Sequence, residues 1–284
     1  MRMITRKHSG KEYYYLQHSC RLDGKVKTFD RYLGTEAPKN ITMQKKEFAE
    51  QINTLVLLPV FERIRTNFGI EWKRYPDSVK AKIKEQIAEF FTYNTNAIEG
   101  SSITLEETSG IIHDKIAPHK SLKDVKETEA HAQVFLAMLE KKDQLGIQLI
   151  LRWHKELFGE TKDDIAGVFR EYMIRVGPYI APDWQDVKKL MVEMISFYDN
   201  NKKMNPVELS ARMHYRFEKI HPFGDGNGRV GRLMMNHILW HQGYPMLIIE
   251  FKKRQAYYKA LQKDEEGFFK YFAKTYLMAH KRYL

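Results

Sequence analysis

Residues 221–232, HPFGDGNGRVGR, are the part of the chain that says most about its fold. Proline disfavours helical geometry in the residue before it, so Pro222 predicts that a preceding helix ends near Ile220. Beyond the glycines, apolar residues recur at the spacing of one helical face, which predicts a second helix that begins at Asn227 or Gly228. Amides at the start of a helix point outward, so the turn between the helices predicts an anion-binding site suited to phosphate.

The side chains of this segment suit the transfer of a group from a nucleotide. His221 titrates near neutral pH and is a natural base for a hydroxyl nucleophile, and Asp225 is a hard oxygen ligand suited to Mg²⁺ shared with nucleotide phosphates. Glycines allow a close backbone approach to phosphate, and arginines three residues apart lie on one helix face. The predicted phosphate ligands are Gly226, Asn227, Gly228, Arg229 and Arg232.

Three other motifs share part of this segment, and the surrounding residues exclude them. The Asn227-Gly228 pair favours a hairpin turn, but the residues after it have helical rather than alternating spacing. A calcium loop would need an oxygen ligand at Arg229, glycine at Val230 and glutamate at Asn236. A P-loop would need a Gly-Lys-Ser/Thr sequence, which does not follow. The phosphate interpretation remains.

The segment resembles the signature of the Fic family, His-x-Phe-x-Asp/Glu-Gly-Asn-Gly-Arg-x-x-Arg, at every fixed position. The resemblance implies a mainly α-helical Fic-type bundle with a β-hairpin flap. It also implies transfer of AMP from ATP, with Mg²⁺, to a Ser, Thr or Tyr hydroxyl of a target protein, with His221 as catalytic base and Asp225 as metal ligand. Phosphocholine transfer and phosphorylation occur on the same fold, but the phosphorylating branch has lysine where this chain has Gly228. Phe223 is expected to anchor the loop in the core.

A second segment, residues 95–100 (TNAIEG), is by its own residues only a helix end followed by glycine. By resemblance it matches the inhibitory motif Ser/Thr-x-x-x-Glu-Gly/Asn of Fic proteins with an N-terminal inhibitory helix, the class II type. The resemblance makes Glu99 the inhibitory residue, which pairs with Arg232 in a bidentate contact so that this arginine cannot serve the phosphates. Two alternatives stay open: removal of AMP with the help of Glu99, and a regulatory protein that senses ATP with little turnover.

Residues 167–183, GVFREYMIRVGPYIAPD, alternate in polarity around Gly177-Pro178 and predict a hairpin. Fic proteins carry a flap before the signature, often entered through Gly-x-x-Arg, and this segment has that entry. We expect the flap to align a target by strand addition. The flap residues assigned in this way are Gly167, Arg170, Ile174 and Val176. By the same resemblance, Tyr258 on a C-terminal helix lines the adenine pocket.

Before the helices, residues 11–21 and 25–33 predict a β-hairpin with a turn at Asp23-Gly24. Thr104 and Glu107 form a predicted capping box, and Asn205 precedes proline at a first helical position. Asp77 or Ser78 is expected to cap another helix. The predicted helices include residues 42–68, 77–93, 121–142, 148–158, 205–220 and 257–277. The resulting division is an N-terminal β segment, 1–40, a helical region with the inhibitory motif, 41–120, and a Fic catalytic core, 121–284.

The composition is that of a globular protein with a single cysteine, Cys20, among 284 residues, which fits a reducing, cytoplasmic environment. No apolar run is long enough to span a bilayer, and no secretory signal is evident. The net charge of +11 leaves nucleic acid open as a partner beside ATP and a protein target. A lone hairpin must pack on the rest of the chain or on a second copy, so a homo-oligomer also stays open.

Three histidines outside the signature are not expected to be ligands. His214 is expected to be a packed or surface residue. His237 and His241 are four apart on a helix, as metal ligands can be, but Ile238 lies where a metalloprotease needs glutamate.

Overall fold

The computed structural model describes residues 1–22 and 25–284, so the predicted Asp23-Gly24 turn lies outside the described residues. The fold is mainly helical, as predicted, with a small N-terminal sheet and a short two-stranded hairpin. The chain forms two compact units, Met1–Arg63 and Ile64–Leu284. The three-part division inferred from the sequence stays a prediction.

The first unit contains an antiparallel sheet in the order β1-β2-β3, with β1 at Arg2–His8, β2 at Lys11–Leu22 and β3 at Lys25–Gly34. The sequence predicted an N-terminal β segment over residues 1–40 but identified only β2 and β3 as separate strands, because RMITRKH is mostly polar and does not alternate. Ser9 and Gly10 connect β1 to β2 with positive φ angles of 51° and 77°, the geometry of a tight hairpin turn.

Helix α1, Ile41–Arg74, follows the sheet and contains Pro59. Leu16 of β2 is fully buried in a cluster with Phe48 and Ile52 of this helix. This small apolar cluster supplies the packed face that a sheet of three strands requires.

The second unit is built from helices, and those predicted over residues 121–142, 148–158 and 205–220 are present within two residues of their predicted bounds. Its helices include α2 Asp77–Ile98, α3 Leu105–Ser109, α4 Leu122–Glu140, α5 Ile147–Phe158, α6 Trp184–Asn200, α7 Pro206–Ile220, α8 Asn227–His241, α9 Arg254–Leu261 and α10 Glu265–Ala279. The flap strands β4 and β5 are Arg175–Val176 and Tyr179–Ile180. Among the described helices, none combines the length and apolar character needed to cross a bilayer.

Helix α8 lies at the centre of this unit. All residues from Asn227 to Leu239 are buried, including polar ones, so the helix has no face toward solvent over these turns. Phe223, Val230 and Leu233 have no exposed surface and join the main apolar cluster. The signature loop is therefore anchored directly in the core.

Local capping signals gave mixed results. The Thr104–Glu107 capping box is present, and the Asn205 side chain accepts a hydrogen bond from the amide of Val207. The expected cap at Asp77 or Ser78 is wrong, because Pro76 occupies the cap position without a side-chain hydrogen bond. Its φ of −58° already suits a helix start.

The single C-terminal helix predicted over residues 257–277 is also wrong. The chain leaves α9 after Leu261 and begins α10 at Glu265. Asp264 caps the new helix, because its carboxylate accepts a hydrogen bond from the amide of Gly267 at 2.8 Å. An aspartate that bonds nearby amides favours a helix start over a helix interior.

Candidate active site

The signature loop begins with a residue in unusual geometry. His221 ends α7 with φ 51° and ψ 61°, a left-handed conformation that costs a non-glycine residue free energy. The Arg170 guanidinium compensates by donating hydrogen bonds to the carbonyls of His221, at 2.9 Å, and Tyr172, at 2.7 Å. It also donates to Pro182 at 2.7 Å, so one buried arginine joins the flap segment to the signature loop.

The interior of the loop is held by Asn227 and Phe223. The Asn227 carboxamide accepts from the Phe223 amide and donates to the Phe223 carbonyl, both at 2.9 Å. The Phe223 ring is fully buried and stacks on His154, with ring centroids 3.8 Å apart. Phe223 is the core anchor that was expected. Asn227 thus uses its side chain to brace the loop, and its backbone amide, at the start of the next helix, faces an anion site.

A backbone cup forms where α8 begins. Gly226 has φ 78°, and its carbonyl accepts the first bond of the helix from Val230 at 3.1 Å. The amides of the first helical residues, 227–229, therefore precede the helical hydrogen-bond ladder. A β-carbon on Gly226 would lie 2.3 Å from the Phe158 ring, so only glycine fits this turn.

The Glu99 carboxylate lies directly above this cup. A β-carbon added to Gly228 would be 2.1 Å from Glu99 Oε1 and 2.8 Å from Arg232 Nη1. The space beside the Gly228 backbone, where the sequence predicts a phosphate, is therefore filled by a carboxylate of this chain.

Glu99 Oε1 is 2.6 Å from Arg232 Nη2. Arg232 is almost fully buried and also donates from Nε to Thr95 Oγ1 at 3.0 Å. The described contact joins one carboxylate oxygen to one nitrogen, whereas the sequence predicted a bidentate pair. Burial would lower the pKa of Arg232, but Glu99, Tyr257 and Glu218 together outweigh it and raise the pKa above its ordinary value. Arg232 is therefore charged, and its guanidinium is already bound to Glu99 and Thr95.

Arg229 is also held by a carboxylate, one that the sequence did not reveal. Its Nη1 contacts Glu127 on α4, and its guanidinium lies 4.3 Å over the Phe158 ring. Glu127 is 6% exposed and also contacts Lys162 at 2.9 Å. Burial would raise the pKa of Glu127, but Arg229 and Lys162 outweigh it and hold the pKa below its ordinary value.

Asp225 faces a cation in this structure. Its Oδ2 is 2.6 Å from Lys162 Nζ, and its Oδ1 accepts a bond from the Gly226 amide at 2.6 Å. Burial would raise the pKa of Asp225, but the hydrogen bond from Lys162 and the charge of Arg229 keep it below its ordinary value. The carboxylate is thus ionised and already binds a positive charge.

This donor set fits Mg²⁺ held mainly by a nucleotide. Within residues 1–22 and 25–284, no group of three or more His, Cys, Asp or Glu side chains could form a metal cage. Mg²⁺ usually keeps several waters and binds through one or two carboxylates plus substrate phosphates. Asp225, where Lys162 Nζ now stands, is the carboxylate that could do this.

His221 lines a cavity of about 470 Å³ together with Glu99, Gly228 and Arg232. Its Nδ1 lies 3.3 Å from the Glu218 carbonyl. Donation to that carbonyl assigns the proton to Nδ1 and leaves Nε2 as the basic nitrogen. Burial lowers the pKa of His221, so the imidazole is neutral at pH 7 and able to accept a proton.

The opposite walls of this cavity come from the flap and α9. Val176 and Tyr179 belong to the flap, and Tyr257 and Tyr258 belong to α9. Tyr258 donates a hydrogen bond to the Ile98 carbonyl at 2.8 Å, beside Glu99. The predicted base, the second arginine, the predicted inhibitory glutamate and the tyrosine therefore meet at one cavity, although they come from the ends of α2 and α7 and from α8 and α9.

The flap residues do not share one environment. Val176 is 44% exposed and also lines the cavity, whereas Ile174 is only partly exposed. The Gly167 amide donates to His154 Nδ1 at 2.8 Å, which fixes the entry of the flap segment. The predicted hairpin turn at Gly177-Pro178 is present, although each strand is only two residues long.

Sequence reasoning missed four residues of the site: Glu127, His154, Lys162 and Glu218. His154 connects the flap to the signature, because its Nε2 lies 3.0 Å from the Asp225 carbonyl. Glu218 lines the cavity, and burial raises its pKa to about 8. The helical spacing that predicts α4, α5 and α7 reports burial, not the partner of a charged side chain, so no local signal identified them.

The three histidines that were not expected to be ligands pack against other protein groups. His214 is fully buried, with Nε2 2.8 Å from the Tyr257 hydroxyl, which agrees with the packed alternative. The His237 and His241 rings are 4.6 Å apart, and His241 Nε2 bonds to the Met138 carbonyl at 2.8 Å.

The chain is similar to known proteins in both sequence and fold. Residues 144–239 match the Fic/DOC family. Over 199 residues the chain is 34% identical to the protein adenylyltransferase Fic of Nematostella vectensis, an alignment that covers 66% of this chain and 46% of that protein. The chain thus spans less than half the length of this relative.

Two solved structures share the fold. Fic-1 of C. elegans (residues 134–508) is 25% identical with a TM-score of 0.70, covering 86% of this chain and 74% of that one. A Fic-domain-containing signalling protein of Bacteroides thetaiotaomicron is 21% identical with a TM-score of 0.69, covering 78% and 95%. With its signature in place and its helices arranged in this way, the chain carries a Fic/DOC-family segment at residues 144–239 and is homologous to the protein adenylyltransferases called Fic.

Proposed function

We propose that this chain is a protein adenylyltransferase that transfers AMP from ATP to a Ser, Thr or Tyr hydroxyl of a target protein, and that Glu99 keeps it inactive at rest. One observation supports this most directly. The Glu99 carboxylate occupies the space beside the Gly228 backbone and lies 2.6 Å from Arg232. The same backbone and guanidinium are the groups that a nucleotide's phosphates would need.

In the proposed reaction His221 Nε2 takes the proton of the target hydroxyl as its oxygen attacks the α-phosphorus. The bond from the α-phosphorus to the oxygen shared with the β-phosphorus breaks, and pyrophosphate leaves. The amides of residues 227–229 stabilise the charge that develops on the α-phosphate oxygens. Mg²⁺, when bound at Asp225, would neutralise charge on the nucleotide phosphates.

The resting site balances its own charges. Three carboxylates, Glu99, Glu127 and Asp225, face three cations, Lys162, Arg229 and Arg232. The polyphosphate of a nucleotide cannot enter without displacing an anion, because like charges repel strongly in a confined site. We infer that Glu99 leaves, because its carboxylate fills the space beside Gly228 and is more exposed than that of Glu127, at 29% against 7%, whereas Asp225 is the proposed metal ligand.

The discriminating experiment uses ATP labelled at the α-phosphate, with Mg²⁺ and host lysate. Label that transfers to protein with Glu99→Gly, and disappears when His221→Ala is added, supports the adenylyltransferase. Saturable ATP binding without transfer in any variant supports the ATP sensor instead. Loss of label from a pre-modified target, dependent on Glu99, supports AMP removal.

The acidity of His221 predicts a pH profile. The base must be deprotonated, and burial lowers its pKa below the usual 6.5. The transfer rate of Glu99→Gly is therefore expected to stay constant from pH 8 down to about 6.5, and to fall only as the pH passes through this lowered pKa. Initial rates measured across this range test it. An acid limb centred above pH 6.5 would contradict the proposed base.

Lys162 predicts the behaviour of the metal site. Because its ammonium lies 2.6 Å from Asp225 Oδ2, a metal ion must displace it. Lys162→Met is expected to bind Mn²⁺, used as a probe for Mg²⁺, about tenfold more tightly, since removing one nearby positive charge is worth about 1 kcal/mol or more. Calorimetry without nucleotide measures this directly. Lys189→Met, an exposed lysine on α6, is the matched control, and equal Kd values for both variants would refute the competition.

A further inference from the structure

The sheet of the N-terminal unit presents two different faces. Leu16 of β2 is fully buried against α1, so the even-numbered side chains around it face the helix. Arg31 pairs with Leu16 in the sheet and contacts Glu47 of α1 at 3.0 Å, which confirms that this face of the sheet lies against the helix. Because side chains alternate along a strand, the odd-numbered residues of β2 lie on the outer face.

Three tyrosines cluster on that outer face. Tyr15 pairs with Tyr32 across the sheet, and their ring centroids are 5.3 Å apart. Tyr13 lies 6.2 Å from Tyr32 on its other side. Tyr32 is 53% exposed, so about half of its surface is open to solvent. The three rings form an aromatic platform, which we define as Tyr13, Tyr15 and Tyr32.

Basic side chains border this platform. The Arg6 guanidinium lies 4.7 Å over the Tyr15 ring, and Tyr13 pairs with Arg6 in the register of the sheet. Arg2 and Lys11 are exposed on the same face, at the registers of Gln17 and His8. Asp30 is the acidic residue among these neighbours, and its carboxylate forms an ion pair with Arg6.

The N-terminal segment carries a large share of the positive charge of the chain. Residues 1–40 contain nine Lys and Arg against four Asp and Glu, a net charge of +5 out of +11 for all 284 residues. A polyanion would therefore be attracted to this unit more than to an equal length of the remaining chain.

We propose that the aromatic platform binds single-stranded nucleic acid. Unpaired bases expose flat faces that can stack on tyrosine rings, and cations beside the rings can contact the phosphates between them. A duplex keeps its bases inside the helix and would use the cations but not Tyr32. The combination of an exposed tyrosine cluster with flanking arginines therefore favours single strands.

The test uses the full chain and measures the fluorescence anisotropy of a labelled oligothymidylate and a labelled oligouridylate. Each is about 15 nucleotides long, near the upper end of the range that single-strand-binding domains cover. Tyr32→Ala is expected to weaken binding about tenfold, within the range for loss of one stacking ring. Tyr32→Phe, which keeps the ring, is expected to bind as the wild type does. A plot of the logarithm of the binding constant against the logarithm of the salt concentration is expected to have a slope of about −2. This is the value for a single strand that makes about three phosphate contacts.

Controls separate stacking from general attraction. Arg2→Gln is expected to weaken binding and reduce the salt slope, whereas Lys189→Gln on α6 removes the same charge and is expected to change neither. Binding of the duplex form as tight as that of the single strand, or an unchanged Kd for Tyr32→Ala, overturns the proposal. Circular dichroism before binding shows that the variants are folded. AMP transfer by Glu99→Gly is expected to be the same with and without Tyr32→Ala, so this proposal can fail while the proposed function stands.

Discussion

Glu99→Gly is expected to raise AMP transfer by about one to two orders of magnitude, the rate equivalent of about 1.5–3 kcal/mol for a hydrogen bond to a charged group. The substitution removes the carboxylate that lies beside Gly228 and 2.6 Å from Arg232. The guanidinium then becomes available to phosphate, while its bond to Thr95 still orients it. Initial rates of label transfer at saturating target measure the change.

Two variants separate the charge of Glu99 from its bulk. Glu99→Gln keeps the size of the side chain but loses its charge, so its rate of AMP transfer is expected to lie between the rates of the wild type and of Glu99→Gly. Glu85→Gln makes the same charge change at an exposed position of α2 and is expected to leave the rate unchanged. Equal rates for wild type and Glu99→Gly, with both variants binding ATP equally, would show that Glu99 does not inhibit.

His221→Ala in the Glu99→Gly background is expected to reduce transfer by about 10²–10⁴-fold, the usual contribution of a positioned general base. ATP affinity is expected to stay within about threefold, because the proposed phosphate contacts come from α8 and not from the imidazole. Single-turnover transfer and calorimetric ATP binding measure the two quantities separately.

The backbone at His221 requires a second variant. Its φ of 51° disfavours alanine, so His221→Ala could act by disturbing the loop. Asparagine tolerates this conformation well and carries no basic nitrogen. His221→Asn is therefore expected to lose transfer as fully as His221→Ala does, with the thermal stability of the parent. Substantial transfer by His221→Asn would exclude the imidazole as the base.

Several features of the fold and site could be predicted without coordinates because their causes are local. Pro222 ends one helix and the glycines begin the next, so α7, the loop and the start of α8 follow from a dozen adjacent residues. The Thr104 cap has the same local origin. The strand β1 and the break near Asp264 were missed, since a polar edge strand lacks alternation and a single cap competes weakly with helical spacing.

Residues 221–232 by themselves place the proposed base, the backbone cup and the two arginines together, since sequence neighbours on one turn and one helix face must lie close to each other. Tertiary structure alone decided what faces them. Glu99 and Glu127 are 133 and 102 positions from the arginines that they contact. Only the packing of α2 and α4 against α8 brings these carboxylates within reach, because the pairing of charges between helices depends on how their buried faces fit and leaves no periodic mark in the sequence.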